Sequence, residues 1–179
     1  MIHPLAKFLF CPCCGSAHFK VNDFKSKRCT DCGFTFYHNA AAATVAVILN
    51  SRNELLVTRR AFNPAAGTLD LPGGFVDAGE TAEEGIVREV EEETGGKAVM
   101  EKFLFSLPNE YLYSDFIVHT TDLFFLCQLL DETALIAHDD AAALFWIPLA
   151  DIRPSNFGLA SIAAGVQKLL ESNINYIPT

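Results

Sequence analysis

Residues 74–96 read GFVDAGETAEEGIVREVEEETGG, and the spacing of their polar residues predicts one helix with marked ends. Thr81 followed by Glu84 is a capping-box pattern that starts a helix at about Ala82, and Gly95 supplies the left-handed residue that stops it. On that helix Glu89, Glu92 and Glu93 fall at i, i+3 and i+4, hence on one face. Ile86 and Val90 mark a second stripe that faces a core. Carboxylates this close repel, so the face is either a solvated acidic surface or a seat for cations. Hard oxygen ligands suit Mg²⁺ or Mn²⁺ better than zinc. Gly85 inside the helix costs about 1 kcal/mol relative to alanine, a matter of stability rather than chemistry.

Gly74, Glu80, Arg88, Glu89, Val90, Glu92, Glu93 and Gly95 also match the positions of G-x5-E-x7-R-E-U-x-E-E-x-G-U, where U is aliphatic. On these residues the chain resembles the Nudix family. Only the last position departs, with Gly96 where the family has an aliphatic residue. The resemblance implies roles by position. Glu89, Glu92 and Glu93 correspond to ligands of the catalytic Mg²⁺ or Mn²⁺, one of them also accepting a proton from the attacking water. Arg88 cannot ligate a cation, but its guanidinium can hold a glutamate in the orientation a metal requires. Glu80 is expected either as an outer ligand or as a brace for the loop. Gly73 and Gly74, behind Leu71 and Pro72, make a bend where backbone carbonyls approach a metal and no side chain blocks phosphates; an ordinary turn is the alternative. A further acid is expected outside the box, with Asp140 in the run His138-Asp139-Asp140 as first choice and Glu110 as second. A polar turn is the other reading of that run.

Upstream, Cys11-Pro-Cys13-Cys14-Gly15 and Cys29-Thr-Asp-Cys32-Gly33 give two C-x-x-C knuckles at zinc-ribbon spacing. The expected ligands of a structural Zn²⁺ are Cys11, Cys14, Cys29 and Cys32, with Cys13 a passenger or an alternate. Disulfides are the competing reading, but no signal-peptide pattern precedes the knuckles and a reducing compartment keeps thiols free. His18 and His38 flank the segment and are read as surface or capping residues.

The chain has 179 residues, 50% of them hydrophobic, enough for one sizeable domain and a small appendage. Its formal net charge of −9 argues against broad nucleic-acid binding, and no apolar run is long enough for a membrane span. These values agree with a cytoplasmic enzyme without a nucleic-acid or membrane partner and with room for a homodimer, and the Nudix resemblance implies a small-molecule nucleotide diphosphate as its substrate.

The segments 43–50 and 54–60 read as strands around the turn at 51–53, with 40–43 joining ribbon to domain. Arg59 and Arg60 end the second strand, where they either meet substrate phosphates or lie solvated. Further strands are expected at 102–107, 121–129 and 145–148, and a closing helix at 159–172. This order predicts an α/β fold, which the resemblance specifies as the Nudix α/β/α sandwich with a mixed sheet, over residues 40–179, preceded by a zinc ribbon over 1–39.

A four-cysteine ribbon before such a domain resembles the NADH pyrophosphatase and ADP-ribose pyrophosphatase subgroups. The former carries an SQPWPFP-type array after its box. Here residues 106–113 read SLPNEYLY, which retains the serine and a proline. Tyr111, Tyr113 and Phe116 are candidates for a platform that stacks on a base, or are aromatics of a half-buried strand. The expected function is metal-dependent hydrolysis of a nucleoside diphosphate linked to another group, such as ADP-ribose, NADH or a related dinucleotide, releasing a nucleoside monophosphate. The alternative is a nucleotide-sugar-sensing module whose ribbon docks a partner.

Overall fold

The computed structural model describes residues 3–132, 135–137 and 141–172. The cysteine-bearing segment forms an antiparallel sheet of its own from β1 (Phe19–Asp23), β2 (Ser26–Cys29) and β3 (Thr35–Tyr37), in that order. Among its described residues, one buried cluster joins Cys11, Phe19 and Cys29 with Phe36 packed against them, and Leu5 is buried as well. So small an apolar core contributes little against the entropy of ordering the segment.

The remaining elements are β4 (Ala41–Ile48), β5 (Glu54–Arg60), β6 (Leu69–Asp70), α1 (Ala82–Thr94), β7 (Ala98–Tyr113), β8 (Phe116–Leu129), β9 (Ala141–Pro148) and α2 (Ala160–Glu171). β4 pairs parallel with β8, which pairs antiparallel with β7, giving a mixed sheet ordered β4-β8-β7. β5 sits between β6 and β9 in an antiparallel sheet. Along β4 and just beyond it, Val45, Val47 and Leu49 join one core with Phe124 and Leu126 of β8 and Ile162, Val166 and Leu169 of α2. Ala46 and Ile48 join the other, with Phe125 and Cys127 of β8 and Ile86 and Val90 of α1. A strand covered on both faces reads as a continuous apolar run rather than an alternating one, as 43–49 does. Helices on both faces of a mixed sheet make the expected α/β/α sandwich.

Several boundaries differ from the sequence expectation. Residues 41–43 are not a linker but the start of β4, paired with Thr120, Thr121 and Asp122. β7 and β8 are 16 and 14 residues long, far beyond 102–107 and 121–129, and close at Ser114 and Asp115, both at positive φ. Two such residues give the primed turn whose twist matches a hairpin. Pro108, Asn109 and Glu110 hide the strand in the sequence, because proline and short polar residues disfavour strands; β7 lies at the sheet edge, where a proline is tolerated. β9 begins at Ala141 rather than at 145.

The hairpin tip meets the N-terminal segment. Phe8 stacks on Phe36 (6.0 Å between ring centroids) and meets Phe116 edge-on (5.6 Å), while His38 packs against Phe116 (5.3 Å) and His119 (5.5 Å). No helix among the described residues is long and apolar enough to cross a membrane.

Candidate functional site

α1 begins as its sequence demands. Thr81 Oγ1 accepts from Glu84 N–H at 3.2 Å, the Thr81 N–H donates to the Glu84 carboxylate at 2.9 Å, and Gly95 ends the helix at φ 68°. Ile86 and Val90 are fully buried, which fixes the rotation of the helix and aims its glutamates at the loop before it.

Arg88 ties that loop to the helix. Its Nε and one Nη donate to the two oxygens of Glu80 at 2.8 and 3.0 Å, and the same Nη donates to the carbonyl of Phe75 at 3.0 Å. The other Nη donates to Glu89 at 3.0 Å and Glu92 at 2.7 Å. One planar guanidinium thus spans three glutamates, which a lysine has no geometry to do. Glu80 also accepts from the Asp77 N–H at 2.9 Å, so it braces the loop. Its carboxyl is pulled down to about 2 by the Arg88 hydrogen bonds and then by that N–H.

The bend before the box is shaped by contact rather than by turn propensity. Segment 72–76 runs along β4, with Ala46 N–H donating to Pro72 O (2.7 Å), Thr44 N–H to Gly74 O (2.8 Å) and Val76 N–H to Ala42 O (3.1 Å). Of the two glycines whose bend is expected to bring carbonyls to a metal, Gly74 has its carbonyl engaged by β4, as does Pro72 before them. Gly73 N–H donates to the buried carboxylate of Glu93 at 3.3 Å. A Cβ at Gly74 would lie 2.4 Å from Glu89 Oε1, so the Glu89 carboxylate rests directly on the bend.

These contacts separate two substitutions. At Gly73 the backbone has φ +149° and an added Cβ would lie 2.1 Å from the main-chain oxygen of Thr44; Gly73→Ala is expected to cost about 2 kcal/mol or more of stability. At Gly74 the obstacle is a side chain that can move, so Gly74→Ala should melt near the parent temperature while losing roughly tenfold to a hundredfold in turnover through the displaced Glu89. Thermal melts paired with initial rates test both, and parent-level turnover in Gly74→Ala would remove Glu89 from the site.

A cleft of about 420 Å³ opens at the same bend, lined by Gly73, Gly74 and Phe75 and by Arg60, Tyr111 and Tyr113. Arg60 pairs with Asp70, which is buried and also accepts from Leu71 N–H at 2.8 Å. Burial pushes the Asp70 carboxyl up, against the pull of Arg60. Arg59 instead lies over the ring of Phe145 and donates to Gly67 O, away from this lining. Phe116 faces the N-terminal segment, so of the three candidate stacking aromatics only Tyr111 and Tyr113 reach the cleft. Glu110 alternates with Asn109 and Tyr111 along β7; it is largely exposed and faces His119 at 3.7 Å. Asp140 lies outside the described residues. Asp70, Asn109 and Asp122 also line the cleft, and nothing in the local sequence marks them.

The NUDIX domain family matches residues 39–166, the greater part of the chain. The chain belongs to the NUDIX family. It is 50% identical over 76 residues to a protein of Methanocaldococcus jannaschii named ADP-ribose pyrophosphatase, covering 42% of this chain and 40% of that one. It is 33% identical over 94 residues to the NAD-capped RNA hydrolase NudC of Haemophilus influenzae, covering 52% and 36%. The matches thus span less than half the length of these relatives. A NUDIX hydrolase from Nitrosomonas europaea has the same fold, with a TM-score of 0.76 at 20% identity over 92% of this chain and 91% of that one.

Just upstream of the NUDIX match, the Sγ atoms of Cys11, Cys14, Cys29 and Cys32 all lie within 4.8 Å of one another. The Cys11–Cys32 and Cys14–Cys29 Sγ separations are both 3.7 Å, too long for a disulfide at about 2.05 Å. They equal the edge of a tetrahedron whose centre is about 2.3 Å from each sulfur, the zinc–thiolate distance. N–H groups of Cys32 and then Asp31 lower the Cys29 thiol to about 6. Phe34 N–H acts likewise on Cys32, but the neighbouring sulfurs outweigh it and push that thiol up to about 12. The four sulfurs are placed so that they could hold one metal ion. Cys13 is exposed and outside the cluster, and His18 is hydrogen-bonded to Asp31 at 3.1 Å.

Proposed function

We propose that this NUDIX chain is a metal-dependent hydrolase of nucleoside diphosphates linked to another group, of the ADP-ribose or NADH class, releasing a nucleoside monophosphate. The observation that carries this reading is the cluster in which Arg88 gathers Glu80, Glu89 and Glu92 while Glu93 and Glu89 touch the glycine bend that lines the cleft. Four carboxylates against one guanidinium leave the cluster strongly anionic, and its donors are all hard oxygens. That set fits divalent Mg²⁺ or Mn²⁺, with Glu89, Glu92 and Glu93 as the residues to hold it. When bound, the cation supplies neutralisation of diphosphate charge and a lowered pKa of water.

The protein's own groups do the rest. Gly73 and Gly74 let the diphosphate approach without a side chain in the way. Tyr111 and Tyr113 offer flat surfaces to a base, and Arg60 offers a cation to a phosphate. A water oxygen attacks phosphorus, one of the box glutamates takes its proton, and the bridging oxygen leaves with the second phosphate. A ligand sensor has no use for this carboxylate set. The same reading assigns residues 1–39 to a ribbon holding structural Zn²⁺ through Cys11, Cys14, Cys29 and Cys32, and residues 40–179 to the hydrolase domain.

The deciding experiment is a Mg²⁺-dependent screen of nucleoside diphosphate derivatives with products identified by mass. ADP-ribose should yield AMP and ribose 5-phosphate. Tight binding without products would favour the sensing module. Asp140 is kept as the further acid: Asp140→Asn should depress kcat far more than it changes substrate affinity. Unchanged turnover there, together with a large loss in Glu110→Gln, would transfer the role to Glu110.

A further inference from the structure

The polar side chains of the cleft are almost all spoken for. Asp70 receives Arg60 and the Leu71 N–H; Asp122 receives the hydroxyls of Thr120 and Ser161. Thr44 Oγ donates to Gly74 O at 3.4 Å. Asn109 differs. It lines the cleft, is only 8% exposed, and its Oδ1 is one of two buried side-chain polar atoms among the described residues that lack a hydrogen-bond partner. A buried amide oxygen without a donor is destabilising, and native structures complete such groups with a ligand or a water.

The surroundings say what kind of donor fits. Asn109, Tyr111 and Tyr113 sit at i, i+2 and i+4 of β7 and so share one face of the strand, and Phe75 also lines the cleft. Flat rings beside an acceptor at strand spacing match a planar heterocycle bearing an N–H, since a base can stack on the tyrosines while its edge reaches Asn109. The side-chain amide turns about a soft, two-fold torsion, so its oxygen can meet that edge. A sugar hydroxyl is a donor too, but gains nothing from the rings.

We propose that Asn109 determines base specificity, accepting a hydrogen bond from the exocyclic amino group of a purine stacked on Tyr111 and Tyr113. This rests on the hydrolase reading in taking a nucleotide as ligand, and the test is therefore made on binding, with turnover read separately. Calorimetric titrations without added Mg²⁺, and without a chelator that would strip the ribbon's metal, compare ADP-ribose with its analogue carrying unsubstituted purine in place of adenine, and with its 2′-deoxyadenosine analogue, on the full chain and on Asn109→Leu. The parent protein should prefer adenine over purine by roughly tenfold, the worth of one hydrogen bond kept from being left unmade. Asn109→Leu should bind both equally, at the weaker value.

Equal affinity of the parent protein for adenine and purine forms overturns the proposal without reference to any variant, as does failure of both to bind at millimolar concentration. If Asn109→Leu keeps the adenine preference and loses only the ribose-over-deoxyribose preference, the donor is a sugar hydroxyl and the proposal is wrong. Adenine preference without Mg²⁺-dependent products leaves Asn109 in place and sinks the hydrolase reading; turnover with no such preference does the reverse.

Discussion

Glu92→Gln and Glu93→Gln are each expected to lower Mg²⁺-dependent turnover by more than about a hundredfold, a loss of about 2.7 kcal/mol in transition-state stabilisation. Each change keeps the size of the side chain and removes its negative charge. Glu92 is half exposed and pairs with Arg88, so its replacement should leave the melting temperature nearly unchanged. Glu93 is buried and accepts from Gly73 N–H, a bond that a glutamine oxygen also accepts, so the bend should persist. The two variants therefore test charge separately from architecture. Steady-state rates across a Mg²⁺ titration decide the matter, and near-parent rates in both would mean that the box helix is not the active site.

The second large effect concerns the N-terminal segment. The purified chain should carry about one zinc, and Cys29→Ser should carry none and lose ordered structure across residues 3–38. Zinc-finger peptides gain on the order of 10–16 kcal/mol from the metal, far more than a buried core of Cys11, Phe19 and Cys29 can provide. The damage should travel to the hairpin tip, because Phe8, Phe36 and His38 pack on or near Phe116. The same hairpin carries Tyr111, Tyr113 and Val118 into the cleft, so KM should rise more than kcat falls. Elemental analysis and limited proteolysis check the first part; unchanged metal content in Cys29→Ser would refute the assignment.

Local physics made part of this protein legible in its sequence. Thr81, Glu84 and Gly95 mark the ends of α1 because a capping box and a left-handed stop act within a few residues. The glutamate face follows from helical periodicity alone, and the two cysteine knuckles from their spacing, since both are short-range properties of the chain. The segments 43–50 and 54–60 were readable as strands from their apolar runs, but the start of β4 at Ala41 was not, because alanine has no strand preference and parallel pairing with Thr120–Asp122 decides it.

What the tertiary structure alone decided depends on residues distant in the chain. Arg88 was identified in the box, yet only the folded loop shows that it forks onto Glu80 rather than serving Glu89 and Glu92 alone. The 16-residue β7 is held by its register against β8, which overrides Pro108 and brings Asn109, Tyr111 and Tyr113 to one wall. The same folding takes Phe116 away from that wall and pairs Arg60 with Asp70 beneath it. Helix caps and ligand spacing are written in neighbouring residues, whereas strand register and the burial of a lone amide are set by the packing of the whole sandwich, and no local window of sequence carries that information.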